Sequence, residues 1–72
     1  MNFGDAVEAL RGGYQVVRQG WNGKGQFLTL QVPDAHSKMT LPYIYITTVQ
    51  GDRVPWHASQ TDVLAEDWQV IV

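Results

Sequence analysis

Two tryptophans of this sequence lie in polar, turn-forming segments rather than in apolar runs. Trp21 belongs to the glycine-rich segment 20–25, and Trp56 belongs to segment 54–62, among proline, serine and aspartate. Residues of these types are typical of loops, where binding groups tend to sit on a rigid scaffold. An indole face beside backbone N–H groups suits a planar, nucleotide-like ring with polar substituents. The alternative interpretation is that both indoles fill the core of a very small domain.

The glycine-rich segment 20–25 does not match the common phosphate-binding motifs. A Walker motif requires Gly-Lys followed by Ser or Thr at the start of a helix, but here Gly25 follows Lys24. The glycines also lack the spacing of a dinucleotide-binding fingerprint. The dipeptide Asn22–Gly23 predicts a hairpin turn instead. Such a turn can expose N–H groups to an anion, and Lys24 would add a positive charge.

A second group, His57, Ser59 and Asp62, contains the residue types of a hydrolase triad. No nucleophile elbow accompanies these residues, and a triad depends on three-dimensional placement rather than on spacing. The pattern favours Ser59 as the cap of a short helix, with Asp62 either capping or accepting hydrogen bonds from a ligand. The adjacent carboxylates Glu66–Asp67 can bind a metal or move protons, but they are typical of a solvated turn. We therefore predict no catalytic residue.

Two tyrosines and two arginines form another candidate group. Tyr43 and Tyr45 share one face of a predicted strand, where phenols line either a pocket or a subunit contact. A half-buried sheet face without a ligand is the alternative. Arg18 and Arg53 are the remaining side chains expected near an anion, although either of them can equally lie at the surface.

The composition excludes several kinds of stabilising site. The 72 residues are expected to form a single domain, 1–72, and domains of this size usually need a disulfide, a metal or oligomerisation. The sequence has no cysteine, and His36 and His57 have no partners at metal-ligand spacing. We therefore expect no metal and no cofactor. Oligomerisation remains, and the 44% of hydrophobic residues supports a homo-oligomer.

Charge and hydropathy also limit the partners. The net charge of −2 argues against binding to a nucleic-acid polymer, which would require a basic patch. No apolar run approaches the roughly 18 residues of a membrane span, and the N-terminus lacks the features of a secretory signal. These observations predict a cytoplasmic protein that does not associate with a membrane.

The periodicity predicts an α+β fold: an N-terminal helix packed on a small, mostly antiparallel sheet, with one short helical turn near the C-terminus. Asn2 is a typical N-cap, apolar residues recur at helical spacing over residues 3–11, and Gly12–Gly13 ends the helix. Trp68 is expected in the core, and Pro55 at a sheet edge. Alternation predicts strands over about 14–18, 26–32, 43–49 and 67–72, a return strand from residue 53, and a helical turn over about 59–65.

The assembled motifs resemble the second Thoeris anti-defence family of phage proteins. The resemblance rests on Asn2-Phe3-Gly4 before a short helix and on the segments Val17–Gly25, Val54–Trp56, Ser59–Asp62 and Ala65–Trp68. It implies a sponge rather than an enzyme, which sequesters a nucleotide second messenger so that a defence effector stays silent. The typical ligand is a cyclic ADP-ribose isomer made by a TIR-domain protein. The resemblance also implies a homotetramer with pockets between subunits, acting in the cytoplasm of the host bacterium.

The resemblance further implies a role for each candidate residue. Trp21 and Trp56 would enclose the adenine ring. Asn22, Gly23 and Lys24 would lie close to the ribose or phosphate oxygens. The ribose hydroxyls or the base edge would be bonded by Ser59, Gln60 and Asp62.

Two alternatives for the function remain open. Some members of the family bind cyclic dinucleotides at a separate site, for which the candidates here are Arg18, Tyr43, Tyr45 and Arg53 in a cleft between subunits. The other alternative is a weak nucleotide hydrolase that uses His57 or Asp62.

Overall fold

A computed structural model describes residues 1–71 and contains two helices and a five-stranded sheet. The sheet order is β4-β3-β2-β1-β5, and every pair of neighbouring strands is antiparallel. The predicted α+β fold is confirmed. The elements are α1 (Phe3–Arg11), β1 (Gln15–Arg18), β2 (Phe27–Gln31), β3 (Tyr43–Thr47), β4 (Arg53–Pro55), α2 (Gln60–Leu64) and β5 (Trp68–Ile71).

Helix α1 begins and ends where the sequence predicted. The Asn2 side chain accepts a hydrogen bond from the Asp5 N–H at 2.8 Å, and the Asp5 carboxylate accepts one in return from the Asn2 N–H. This capping box satisfies N–H groups that have no partner inside the helix. Gly13 follows the helix with a φ of 91°, a conformation that a residue with a side chain rarely adopts.

The core lies between α1 and one face of the sheet. Val16 of β1 pairs with Leu28 of β2 on one side and with Val70 of β5 on the other. Directly opposed residues share a face, so alternate residues of each strand point towards the helix. The residues buried in this layer are Ala6, Leu10, Val16, Leu28 and Trp68.

Both helices lie on this same face of the sheet. Helix α1 contacts β1, β2 and β5, and α2 packs near α1, with the Asp62 carbonyl bonded to the Trp68 indole N–H of β5. The opposite face, which carries Val17, Phe27, Thr29 and Tyr45, is covered by neither helix. A second apolar surface is therefore left outside the core of the monomer.

The strands are shorter than the sequence predicted at several ends. Tyr14 precedes β1, and Val32 lies beyond β2 with 66% of its surface exposed. Strand β3 ends at Thr47 because the chain turns there: the Gly51 N–H donates to the Thr48 carbonyl, and Gly51 has a φ of 92°. Val72, predicted in the last strand, lies outside the described residues. Pro55 ends an edge strand, as predicted.

The connection between β1 and β2 joins antiparallel neighbours, which confirms the predicted hairpin. It runs over residues 19–26 and is longer than the two-residue turn that Asn-Gly commonly forms. The left-handed residue is Gly25, with a φ of 89°, while Asn22 does not adopt a positive φ. The reason is that Trp21 packs against the core, so the chain leaves the sheet before it turns back. We call residues 19–26 the Trp21 loop.

Candidate functional site

Four aromatic residues from distant parts of the chain meet at one end of the core. We call Phe3, Trp21, Trp56 and Trp68 the aromatic cluster. The ring of Trp68 lies 5.4 Å from Trp21, 6.0 Å from Trp56 and 5.5 Å from Phe3, measured between centroids. The Trp21 and Trp56 rings lie 6.4 Å apart. Tilted and edge-to-face arrangements at these distances are favourable for aromatic pairs.

Trp68 is the interior member of the cluster, which confirms its prediction as a core residue. It is 1% exposed, and its indole N–H donates to the Asp62 carbonyl at 3.0 Å. A buried indole N–H needs such a partner because burying an unbonded polar group is costly. Trp68 therefore packs against the inner side of the Trp21 and Trp56 rings and is not itself accessible to a ligand.

Trp21 and Trp56 are only partly buried, so each has one side against the core and part of its ring exposed. The Trp21 indole N–H donates to the Asp62 carboxylate at 3.1 Å. The Trp56 backbone N–H donates to the Ile44 carbonyl, which ties the residue to the edge of the sheet. The Trp21 ring is thus fixed by a side-chain hydrogen bond, and the Trp56 ring is held by packing against Phe3 and Trp68. The two indoles lie side by side at the surface.

Ser59 and Asp62 form the cap of α2. The Ser59 hydroxyl accepts a hydrogen bond from the Asp62 N–H at 3.1 Å, and the Asp62 carboxylate accepts one from the Ser59 N–H at 3.3 Å. His57 is exposed, and within residues 1–71 it bonds to neither of them. The three residues are not connected as a hydrolase triad, which would need the histidine between the hydroxyl and the carboxylate.

An ion-paired arginine lies directly beneath this surface. Arg18, the last residue of β1, donates from Nε to Asp67 at 2.8 Å and from Nη1 to Asp62 at 2.9 Å. The side chains are 15%, 30% and 14% exposed, respectively, so the three charged groups are largely shielded from solvent. We call Arg18, Asp62 and Asp67 the Arg18 network.

The Arg18 network shifts the titration of its members. Burial alone would raise the pKa of Asp62, but hydrogen bonds from Arg18, Trp21 and Ser59 outweigh it, so the pKa lies below the ordinary value of 3.8. The Arg18 hydrogen bond lowers the pKa of Asp67, with a further contribution from the Gly20 N–H. Hydrogen bonds to the two carboxylates raise the pKa of Arg18. All three groups are charged at neutral pH.

This network corrects the sequence-based interpretation of Asp67. The sequence predicts a solvated turn at Glu66–Asp67, and Glu66 is exposed, but Asp67 is bonded to Arg18 and to the Gly20 N–H. The sequence feature that could have indicated this ion pair is the position of Arg18 at the end of one strand and of Asp67 just before another. This feature predicts a contact only if β1 and β5 are neighbours in the sheet, which the sequence does not show. Within residues 1–71, no group of carboxylates and histidines is arranged to hold a metal ion.

The remaining residues of the Trp21 loop lie at the surface. Asn22 and Lys24 are exposed, and the Lys24 ammonium donates to the Gln19 carbonyl at 2.9 Å. Gly23 packs against the Gln26 side chain, and a Cβ there would lie 3.1 Å from it. Gln60, the first residue of α2, is also exposed. The structure therefore places the candidate ligand-binding residues on two neighbouring segments, which meet through the Trp21–Asp62 hydrogen bond and the Trp21–Trp56 ring contact.

A groove adjoins Trp56 on the side of α1. It has a volume of about 520 Å³ and runs between the last turn of α1 and the strands β2 and β3. Its floor is apolar, and Arg11 and Tyr43 are its polar groups. Volumes of this order are typical of small-molecule sites. The lining residues are Val7, Leu10, Arg11, Leu30, Pro42, Tyr43, Ile44 and Trp56.

Three of the four residues predicted for a second site, Tyr43, Tyr45 and Arg53 but not Arg18, lie together in the structure. Tyr43, Tyr45 and Arg53 line a concavity of about 190 Å³, together with Gln31 and Pro55. The tyrosine rings lie 6.5 Å apart, and the Arg53 guanidinium carbon is 5.8 Å from the centroid of Tyr45. Arg18 does not line this concavity, because it lies on the helix-covered face of the sheet, opposite Trp68, whereas Tyr43 and Tyr45 lie on the other face.

The fold and the site together define a small antiparallel α+β domain that presents two partly buried tryptophans at its surface, Trp21 through a hydrogen bond to Asp62 and Trp56 through packing in the aromatic cluster. Residues 1–71 match the family described as the Thoeris anti-defense 2-like domain. The chain is also 40% identical over 84 residues to Thoeris anti-defense 2 of Bacillus phage SP01, covering 99% of this chain and 94% of that protein. The chain therefore belongs to the Thoeris anti-defense 2-like family, which confirms the resemblance seen in the sequence.

Proposed function

We propose that this protein is a phage anti-defence sponge that binds a cyclic ADP-ribose-type immune signal and holds it uncleaved, so that the Thoeris effector is not activated. Family membership supports the anti-Thoeris role, since the family description names an anti-defence function and no catalytic one. The observation that carries the sponge mechanism is the pair of partly exposed indoles, Trp21 and Trp56, 6.4 Å apart.

The rigidity of these indoles supports sequestration. A sponge acts only by affinity, and affinity is highest when the binding groups are ordered before the ligand arrives. The Trp21 indole is held by a hydrogen bond to Asp62, and the Trp56 ring packs against Phe3 and Trp68 at centroid distances of 6.1 and 6.0 Å. Stacking of one base on an indole contributes about 1–3 kcal/mol. A ligand that stacks on either ring would therefore lose little affinity to reordering of the protein.

The surroundings of the indoles suit the other parts of such a ligand. The exposed groups of Asn22, Lys24 and Gln60 are polar and lie on the same two segments as the indoles. The groove beside Trp56 adds apolar surface, and Arg11 is a cation at its edge. A nucleotide with one adenine and two phosphates needs this combination of ring surface, donors and positive charge, in a protein whose overall charge is −2.

The proposed sponge is a homo-oligomer, and we propose a tetramer with ligands held between subunits. The sheet face that carries Phe27 and Tyr45 is covered by neither helix. Leu41 and Leu64, on the other parts of the surface, are 75% and 77% exposed. Extensive exposed apolar surface on so small a domain is typical of subunit contacts. Sedimentation equilibrium tests this proposal, and a monomer at the concentrations used for binding would contradict it.

Calorimetric titration with glycocyclic ADP-ribose isomers tests the function. We expect tight binding by the wild type, and at least about fivefold weaker binding by Trp21→Ala and by Trp56→Ala, from the loss of about 1 kcal/mol or more of stacking. Tyr14→Ala is the matched control, because Tyr14 is 56% exposed and lies at the opposite end of β1 from the Trp21 loop. Wild-type affinity in both folded tryptophan variants would contradict the site assignment.

A sponge that prefers cyclic dinucleotides is the second candidate function. The observation that favours it is that Tyr43, Tyr45 and Arg53 meet in one concavity. If it is correct, a cyclic dinucleotide panel gives binding that Arg53→Ala weakens and Trp21→Ala does not. Absence of heat for the whole panel at high protein concentration would exclude this candidate.

A further inference from the structure

We infer that Arg18 and Asp67 are positioning residues that set the ligand affinity of the Trp21 loop without touching the ligand. The inference rests on the proposed function, in which the Trp21 indole contacts the ligand. Arg18 and Asp67 hold the loop in the free protein, before a ligand arrives.

The first observation is that one carboxylate fixes the start of the loop. Asp67 accepts a hydrogen bond from the Gly20 backbone N–H at 2.7 Å, while its other oxygen accepts from Arg18 Nε at 2.8 Å. The backbone adds bonds from the Gln19 N–H to the Asp67 carbonyl and from the Trp21 N–H to the Arg18 carbonyl. The approach is so close that a Cβ on Gly20 would lie 2.7 Å from the Asp67 carboxylate. The loop thus leaves β1 along a path that Asp67 defines.

The second observation is that the same arginine fixes the orientation of the indole. Asp62 Oδ1 accepts from Arg18 Nη1 at 2.9 Å and from Trp21 Nε1 at 3.1 Å. Arg18 therefore holds Asp67, which holds the loop backbone, and also Asp62, which holds the ring. A planar guanidinium can bridge two carboxylates in this way, whereas an ammonium offers no fixed fork.

This arrangement determines what Trp21 can offer to a ligand. Its indole N–H is already bonded to Asp62, so the exposed part of the ring is available for stacking and not for donating a hydrogen bond. Both oxygens of Asp62 accept hydrogen bonds within the protein, from Arg18, Trp21 and Ser59. Asp62 therefore acts on the ligand through Trp21, and the direct ribose contact expected from the sequence stays a prediction.

Breaking the Arg18 network should weaken binding by lowering the fraction of free protein whose loop is in the binding-competent conformation. If the binding-competent loop falls to about a tenth of the free protein, the apparent dissociation constant rises about tenfold. We expect a rise of this order for Asp67→Asn, which cannot accept strongly from both Arg18 and Gly20. We expect the same for Arg18→Lys, which keeps the charge but loses the fork.

The experiment combines calorimetry with NMR on wild type, Asp67→Asn and Arg18→Lys. Glycocyclic ADP-ribose is the ligand, and hydrogen exchange of the Trp21 indole N–H, assigned with Trp21→Phe, reports the free loop. Asn2→Ala is the control for general destabilisation, because it removes the cap of α1 and leaves the Arg18 network intact. Weaker binding and faster indole exchange in the two network variants, with neither change in Asn2→Ala, would support the inference.

Other outcomes overturn it. Wild-type affinity in both network variants, or unchanged indole exchange in both, would show that Arg18 and Asp67 do not hold the loop. An equal loss of affinity in Asn2→Ala would show that the effect is one of stability alone. If the wild type binds none of the nucleotides, the proposed function fails separately, and the indole exchange alone decides whether the network positions Trp21.

Discussion

Replacement of Trp68 by Phe tests whether the aromatic cluster is built on one buried indole. The substitution removes the N–H that donates to the Asp62 carbonyl at 3.0 Å, a net loss of about 1 kcal/mol. It also removes about three ring atoms from a site that is 1% exposed, which adds about 2 kcal/mol at about 0.8 kcal/mol per buried CH₂. The expected destabilisation is therefore about 3 kcal/mol. A domain of 72 residues has a total stability of about 4–11 kcal/mol.

Urea unfolding followed by far-ultraviolet circular dichroism measures this loss without relying on tryptophan fluorescence. In thermal unfolding followed by the same signal, the melting temperature should fall by more than about 10 °C, since 1 kcal/mol shifts it by about 4–8 °C in a domain of this size. Measurement at two protein concentrations separates unfolding from dissociation of an oligomer.

Trp56→Phe is the matched control for this substitution. Trp56 belongs to the same cluster but is only partly buried, and within residues 1–71 its indole nitrogen donates no hydrogen bond. The expected cost is about 1 kcal/mol or less. Equal costs for the two substitutions would refute the assignment of Trp68 as the buried support of the cluster.

Two further predictions concern the cap of α1 and the Arg18 network. Asn2→Ala should lower the unfolding free energy by about 1 kcal/mol, because the Asp5 N–H loses its acceptor. Asn2→Asp keeps an acceptor at this position and should retain most of the wild-type stability. Equal stability of wild type and Asn2→Ala in urea would contradict the cap. Folding lowers the pKa of Asp62 and of Asp67, so their ionised forms stabilise the fold above the ordinary value of 3.8, and this stabilisation is lost as the pH falls through the lower folded-state values. Unfolding free energies measured from pH 7 to pH 3 should therefore decline at the acid end, and Asp67→Asn should decline less steeply; parallel curves for the two proteins would count against the pKa shift of Asp67.

The sequence was sufficient for those elements whose signals are local. The extent of α1 followed from its cap and apolar spacing, and the register of β2 with β3 preserves the predicted alternation of Tyr43 and Tyr45. The edge position of Pro55 followed from its missing N–H. In each case the sequence signal, a cap, an alternation or a proline, lies within a few residues of the chain.

The Arg18 network and the path of the Trp21 loop could not be predicted in this way. Arg18 and Asp67 are 49 positions apart, and their contact depends on the pairing of β1 with the last strand. The Asn22–Gly23 dipeptide favoured a tight turn, but packing of Trp21 against the core outweighed that local preference. Tertiary contacts of this kind decide the site, because they determine which side chains remain free for a ligand.

The most direct test of the central claim is recovery of the ligand after binding. Glycocyclic ADP-ribose is titrated into the protein in a calorimeter, the complex is incubated for a long period and heat-denatured, and the released nucleotide is analysed by chromatography. A sponge predicts tight binding and recovery of the intact cyclic nucleotide. Release of a hydrolysed product would contradict sequestration and favour a hydrolase. No binding would contradict the assignment of this ligand and shift the test to cyclic dinucleotides.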